Sequence, residues 1–392
     1  MKRALENSLK TAVEVKEFSF EKATKDGENY CSDIYRIYVK YIKENDISKK
    51  LHEKSFIIKD VGEIEQPDTS EMFMYEKVLP KLEEILESTG ENVKLKPSCY
   101  LTISDKIELY VLEDLVASGY HIADRWVGLN DVQAKVILQK VAKFHAASMI
   151  YVERFPEEIA KLEPAGFSSD NFGEVARVLY IDSVEYVAHM IQNDWNGYEE
   201  IARKMLKNKE KFHEKVKKLV NPKNSKLNVI NHADLWLNNF LYNYSDENFK
   251  EPQDAVLIDF QNCYLGSLGL DINFLIYTSF DLNTIKSDQH KLLRCYYDEL
   301  ERTLKLCGAT IIPTWESVID EINATLFVAY YAVVCEMPMC CMSLEASEGF
   351  QNETYTNKEV MAEKRKLIYS NKRVLDTLRY MLDYLNKMGI LD

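Results

Sequence analysis

Two short stretches near the middle of the chain constrain it more than anything else. The first is Asn231-His232-Ala233-Asp234-Leu235-Trp236-Leu237-Asn238-Asn239, of the form H-x-D-x-x-x-x-N. The second, shortly downstream, is Val256-Leu257-Ile258-Asp259-Phe260-Gln261, an apolar strand that ends in an aspartate. Between them, residues 240–244 and 255–259 pair naturally as a hairpin around the polar loop 245–254. Such a hairpin brings Asn239 and Asp259 to one end, where a single metal ion can touch both. Phosphoryl transfer from Mg-ATP needs a carboxylate to receive the acceptor hydroxyl's proton, and a second carboxylate with an amide oxygen to hold the metal. Asp234, Asp259 and Asn239 fill those roles in that order. His232 reads as a structural tie within the loop. Two protein ligands are too few for a metal cage but suit Mg2+, which keeps waters and borrows phosphate oxygens.

At 392 residues the chain is too long for one small core, so two lobes are expected, with 1–115 as an N-terminal lobe and 116–392 as a C-terminal lobe. The N-terminal part reads as α+β. Residues 33–41 alternate β-branched or aromatic with polar residues, 55–59 read as a second strand, and 100–103 and 108–112 as two more. Between them, Glu71 to Leu86 carries apolar residues near helical spacing, with Pro80 expected to kink or break the helix. After Leu115 long helical patterns dominate. One runs from Asp131 to Ser148, capped by Asn130 or Asp131, and others cover 172–214, 284–306 and 315 to the end.

The net charge of −14 argues against broad nucleic-acid binding, which requires a basic face. The apolar run from Leu326 to Leu344 is interrupted by Glu336 and Pro338 and is too short for a membrane span. The N-terminus lacks the apolar stretch of a signal peptide, and the eight cysteines show no C-x-x-C spacing. The expectation is a reduced, cytoplasmic protein.

Lys59, at the end of its strand, is the candidate to meet the α- and β-phosphates of ATP. Glu71, opening the next helix, is its expected ion-pair partner, with Glu76 as the rival. The loop Gly27-Glu28-Asn29-Tyr30-Cys31-Ser32 is placed to close over the phosphates through backbone N–H groups and the Ser32 hydroxyl. The backbone of Glu113-Asp114-Leu115 is placed to bond an adenine edge. His145 reads as a core histidine, and Asp271 as an N-cap bracing the loop beneath the metal site. The short interval between Asp259 and the next helix has no room for a peptide-docking segment, and no A-P-E follows Asp259. A small-molecule hydroxyl is therefore the expected acceptor, and no protein substrate is expected.

These motifs resemble those of the ecdysteroid-kinase-like family, related to aminoglycoside phosphotransferases and choline kinases. The resemblance lies in His232 to Trp236 with Asn239, in Asp259-Phe260-Gln261, and in Gly27-Glu28-Asn29-Tyr30. It continues through Glu71 to Tyr75 with Leu79-Pro80, Val111 to Leu115, Asp124-Arg125 with Gly128-Leu129, and Ala142 to Ala146. It implies a protein-kinase-like two-lobed fold and ATP-dependent phosphorylation of a small alcohol, with ecdysteroids as the founding substrates. The nucleotide-binding set it implies is Lys59, Glu71, Asn29, Ser32, Glu113 and Leu115. Ala233 departs from the family's usual glycine and is strained if the loop requires φ > 0. Two other readings stay open. One is a choline or ethanolamine kinase, with Tyr330, Tyr331 and Glu336 as an ammonium box. The other is a nucleotide-binding pseudokinase, against which the complete acidic set speaks.

Overall fold

The computed structural model describes residues 1–23, 32–63, 69–162, 174–245, 248–287, 289–350, 354 and 357–392, and of 174–178 only the backbone. Five antiparallel strands form the N-terminal sheet: β1 Val13–Lys22, β2 Asp33–Lys43, β3 His52–Glu63, β4 Cys99–Ser104 and β5 Ile107–Glu113, in the order β1-β2-β3-β5-β4. The helix Lys2–Leu9 packs Ala4 and Leu5 on one face of the sheet, against Val13, Ile37, Val39, Phe56 and Val111. Successive side chains on a strand point to opposite faces, so Lys59, three residues beyond Phe56, faces away from this cluster.

Neither that first helix nor β1 was among the expected elements, and β1 has a physical reason for being hard to read. Its apolar residues fall on odd positions at Val13 and Val15 and on even ones at Phe18 and Phe20. A bulge between Val15 and Glu17 switches the phase, because one extra residue in a strand exchanges its two faces.

The opposite face of the sheet receives a helix made of Ser70–Phe73, a π turn Met74–Val78, and Leu79–Glu87. Pro80 does not break it. It sits at the start of the last segment, where the missing N–H costs least. Met72, Tyr75, Leu79 and Leu82 share a buried cluster with Ile137, Leu138, Val141 and Phe144 of the helix Asp131–Arg154. That long helix opens on a reciprocal cap. Asn130 Oδ1 accepts from the amides of Val132 and Gln133 at 3.0 and 3.1 Å, while the Gln133 side chain accepts from the Asn130 N–H at 3.2 Å.

The C-terminal part is mainly helical, with two small sheets. One pairs β7 Asn228–Asn231 with β10 Tyr264–Ser267; the other orders β6 Tyr120–His121, β8 Phe240–Tyr244 and β9 Pro252–Leu257. β8 and β9 form the expected hairpin, Phe240 opposite Leu257, with a shorter connection than expected because β9 begins at Pro252. β7 lies against the long helix, where the Ile230 N–H donates to Ser148 Oγ at 3.1 Å. The described residues form an α+β protein, with a five-stranded antiparallel sheet in the N-terminal part and a mainly helical C-terminal part.

Candidate active site

Lys59, Glu71 and Asp259 come from a strand, a helix and a loop, and they meet at one ammonium group. Lys59 Nζ lies 2.6 Å from Glu71 Oε2 and 2.6 Å from Asp259 Oδ1. Lys59 and Glu71 are 5% and 3% exposed, so neither charge is solvated. Burial works against the lysine's charge, but Glu71 and Asp259 outweigh it and hold its pKa above the usual lysine value. Glu76, the rival partner, points elsewhere and accepts from Thr102 Oγ1 at 2.6 Å.

Asp259 follows β9 in a left-handed conformation, φ 65°, which aspartate tolerates better than most residues. Phe260 behind it is fully buried, its ring 5.8 Å from Tyr75, 6.3 Å from Phe144 and 5.0 Å from His232. Ser70 Oγ donates to the Gln261 carbonyl at 2.5 Å. The Asp259-Phe260-Gln261 segment is thus fixed to the helix that carries Glu71. The sequence reading gave Ser70 and Gln261 no part in this.

The loop around Asp234 hangs from Asp271. The His232 N–H donates to Asp271 Oδ2 at 2.7 Å and the Ala233 N–H to Oδ1 at 2.9 Å. Ala233 has φ 63°, the strained conformation that its missing glycine raised as a concern; a left-handed alanine costs about 1–2 kcal/mol, offset by the Asp271 bond. Asp271 is not the expected N-cap. The helix Leu268–Ser279 is capped by Ser267, and Asp271 stands in its first turn. His145, a core histidine as expected, lies 3.2 Å from Asp271 Oδ2 and 2.8 Å from the Tyr296 hydroxyl. His232 Nε2 donates to the Ile258 carbonyl at 2.9 Å, tying the loop to the strand before Asp259, and burial lowers its pKa. Gly269 allows the close helix contact beneath, since a Cβ there would come within 2.8 Å of the Glu321 carbonyl.

Asn239 Nδ2 donates at 2.9 Å to both the carbonyl and Oδ2 of Asp234. The Ile258 N–H donates to the Asn239 carbonyl at 2.9 Å, so the hairpin places Asn239 beside the Asp259 segment. Burial raises the Asp234 carboxyl well above the ordinary carboxylate range, and Asp259 and then Glu336 add to the effect. This concentration of negative charge, with an all-oxygen donor pair in Asp259 and Asn239, fits a magnesium ion that takes its other oxygens from phosphates.

The remaining expected residues are placed as follows. Asn29 lies outside the described residues, and Ser32 occupies the bend before β2. The Glu113 N–H bonds the Ser98 carbonyl at 2.9 Å, and its carboxylate binds Lys94 at 2.6 Å. The Leu115 carbonyl accepts from the amides of Ser118 and Tyr120 at 3.1 and 2.9 Å. Those two groups are thus committed within the protein. Tyr330 and Tyr331 do not form an open box. They are 5% and 8% exposed, and both rings pack against Phe212.

A lysine held by two acids thus stands with an aspartate–asparagine pair at the end of the β8–β9 hairpin. The ecdysteroid kinase-like family model matches residues 26–309, and the chain belongs to that family. Membership implies a phosphotransferase that uses ATP and acts on a small molecule. No curated protein matches the chain. Among 52 matching solved chains is one assigned as a fructosamine-3-kinase from Haemophilus somnus 129PT. It is 11% identical, covering 95% of this chain and 96% of its own, with a TM-score of 0.33.

Proposed function

We propose that this protein transfers the γ-phosphoryl group of ATP to a hydroxyl of a lipophilic alcohol, an ecdysteroid or a molecule of similar character. The observation that carries the reading is the meeting of Lys59, Glu71 and Asp259 beside the Asp234–Asn239 pair. Residues far apart in the chain supply one cation and the acids that transfer from a nucleotide needs. Lys59, fixed by Glu71, neutralises phosphate oxygens. Asp259 and Asn239 would hold magnesium, which when bound would offset the charge on the phosphates. Asp234 orients the acceptor hydroxyl and takes its proton. The Leu115 N–H, without an acceptor among the described residues, is the group left to meet the adenine edge.

Residues 1–115 form the nucleotide lobe in this reading, and 116–392 supply the acceptor site. Residues 260–267 alone separate Asp259 from the helix Leu268–Ser279, and four of them are β10. That leaves no platform for a peptide, so a protein is not the substrate. Nucleic acid and membrane partners are not expected in this reading, given the net charge of −14. The choline or ethanolamine reading keeps one supporting observation, the carboxylate of Glu336 near Asp234. Purified protein with ATP and magnesium, screened against steroid, choline, sugar and phenolic alcohols by product mass, tests the proposal. A steroid alcohol phosphorylated with higher kcat/KM than choline or sugars is expected; choline as the best acceptor would replace this reading with the alternative.

A further inference from the structure

Beside Asp234 stands a second acid that the chemistry above leaves unused. Glu336 closes a π turn, Ala332–Glu336, just before the segment Met337–Cys340 that contains Pro338. Such turns are rare and recur at functional sites. One carboxylate oxygen, Oε1, receives the Tyr331 hydroxyl. That hydroxyl lies 3.4 Å from the Tyr180 hydroxyl, within a packed group of rings in which Tyr180 and Tyr331 are 5.1 Å apart. Rigid aromatic packing therefore orients the acid. Burial pushes the Glu336 carboxyl up, and the Tyr331 bond offsets this only in part.

Three features make this more than a core residue. A carboxylate accepts up to about four hydrogen bonds, and this one makes a single bond among the described residues. It is half-buried and keeps some exposed surface, while the residues before it from Tyr330 to Cys335 are buried. Its turn packs on the helix Leu268–Ser279, with the Tyr331 and Phe274 rings 6.2 Å apart, and Asp271 of that helix holds the loop that carries Asp234; the charge of Glu336 accordingly bears on Asp234. Leaving a carboxylate in such a place without a cation is costly unless something else bonds it. The packed rings of Tyr330 and Tyr331 rule out an aromatic cage there, which leaves the acid itself as the recognition element.

We propose that Glu336, held by Tyr331, determines acceptor specificity by taking a hydrogen bond from a second donor, a hydroxyl or an amine, carried near the hydroxyl that faces Asp234. The inference rests on the reading of Asp234 given above. It narrows the acceptor from any lipophilic alcohol to a diol or an amino alcohol. A site built to bond a substrate group rejects the analogue lacking it far more strongly than an apolar pocket rejects a change in size.

The test uses the full chain with ATP, magnesium and three probes on one steroid skeleton: a vicinal diol, the corresponding amino alcohol, and the mono-alcohol. The wild-type protein is expected to favour the diol or the amino alcohol over the mono-alcohol by at least about tenfold in kcat/KM. Glu336→Gln should bring that ratio to within about threefold, the change lying mainly in KM. Tyr331→Phe, which keeps the ring packing, should lower it by an intermediate factor, and serves if Glu336→Gln does not fold. A greater loss on the amino alcohol identifies an ammonium donor, and a greater loss on the diol a hydroxyl. An unchanged ratio in both variants, with Asp234→Asn inactive, overturns the role of Glu336 and leaves Asp234 in place. Wild-type turnover in Asp234→Asn overturns the underlying reading and this one with it. Transfer to the mono-alcohol alone, or to none of the three, rejects the acceptor class.

Discussion

Two clusters of charge tie the N-terminal sheet and its helix to the helical part, and they differ in their surroundings. Lys59, Glu71 and Asp259 join β3, the first helix after it, and the segment following β9, with the lysine and the glutamate almost wholly out of water. Glu91, Lys143, Glu299 and Arg302 join the loop after that same helix to the helices Asp131–Arg154 and Gln289–Leu306. Arg302 grips both oxygens of Glu91, at 2.6 and 3.0 Å, and reaches Glu299 at 2.6 Å. The bonding is at least as good as in the first cluster, yet the Glu91 and Arg302 side chains are 36% and 40% exposed. Geometry alone would rank the outer cluster first. Burial reverses the order, because solvent screens the outer pairs and side-chain entropy opposes them, whereas a buried charge that loses its partner has nothing to replace it.

The contrast breaks or holds on matched substitutions. Lys59→Met leaves Glu71 and Asp259 facing each other without a cation and should cost on the order of 3 kcal/mol. Arg302→Met should cost about 1 kcal/mol or less. Denaturant unfolding of both variants under one set of conditions measures the difference, and equal losses would erase the distinction drawn between the clusters. A ligand readout follows. Asp259→Ala should abolish the tightening of ATP binding by magnesium, which calorimetry with and without the metal reports; persistence of that tightening would place the ion elsewhere.

The smallest effect concerns pH. The Arg302 hydrogen bonds, followed by Lys143, hold the Glu91 carboxyl at about 2. A carboxylate whose pKa is lower in the folded state stabilises the fold above its unfolded value, about 4.3, and that contribution fades as pH falls toward 2. With the group this exposed, the contribution is below about 1 kcal/mol. Glu91→Gln should therefore flatten the stability-versus-pH curve slightly between roughly pH 4.3 and 2, and do nothing to its slope near neutrality. A change of slope near pH 7 would show that Glu91 is coupled to other titrating groups.

The inner cluster was legible in the sequence, and the outer one was not. Lys59 closes the apolar run of Phe56 to Ile58 inside β3, Glu71 opens a helix, and Asp259 follows the apolar run of β9, so hydrophobic patterning marks each of them. The hairpin that carries Asn239 to Asp259 could be read the same way. Glu91, Lys143 and Arg302 sit among ordinary surface charges, with nothing local to single them out. β1 was obscured by its bulge, which breaks the alternation between Val15 and Phe18. Asp271 was noticed as a capping residue, because its sequence position shows only that it begins a helix. The expected bracing of the loop holds, through the His232 and Ala233 amides; which residue caps the helix depended on where its first turn begins, and Ser267 takes that place. Glu336 raised suspicion for its neighbouring tyrosines, but whether those rings were open or packed was a tertiary matter, and they are packed.

The central claim is that Asp234 takes the proton of an acceptor hydroxyl while the Lys59 cluster holds the nucleotide. The most direct measurement is single-turnover phosphorylation by Asp234→Asn, with ATP affinity determined on the same preparation. The substitution keeps the size of the side chain and removes its ability to accept a proton. The account predicts near-normal ATP binding with turnover reduced by a factor on the order of 10² to 10⁴. Turnover close to the wild-type rate would contradict it and remove Asp234 from the mechanism.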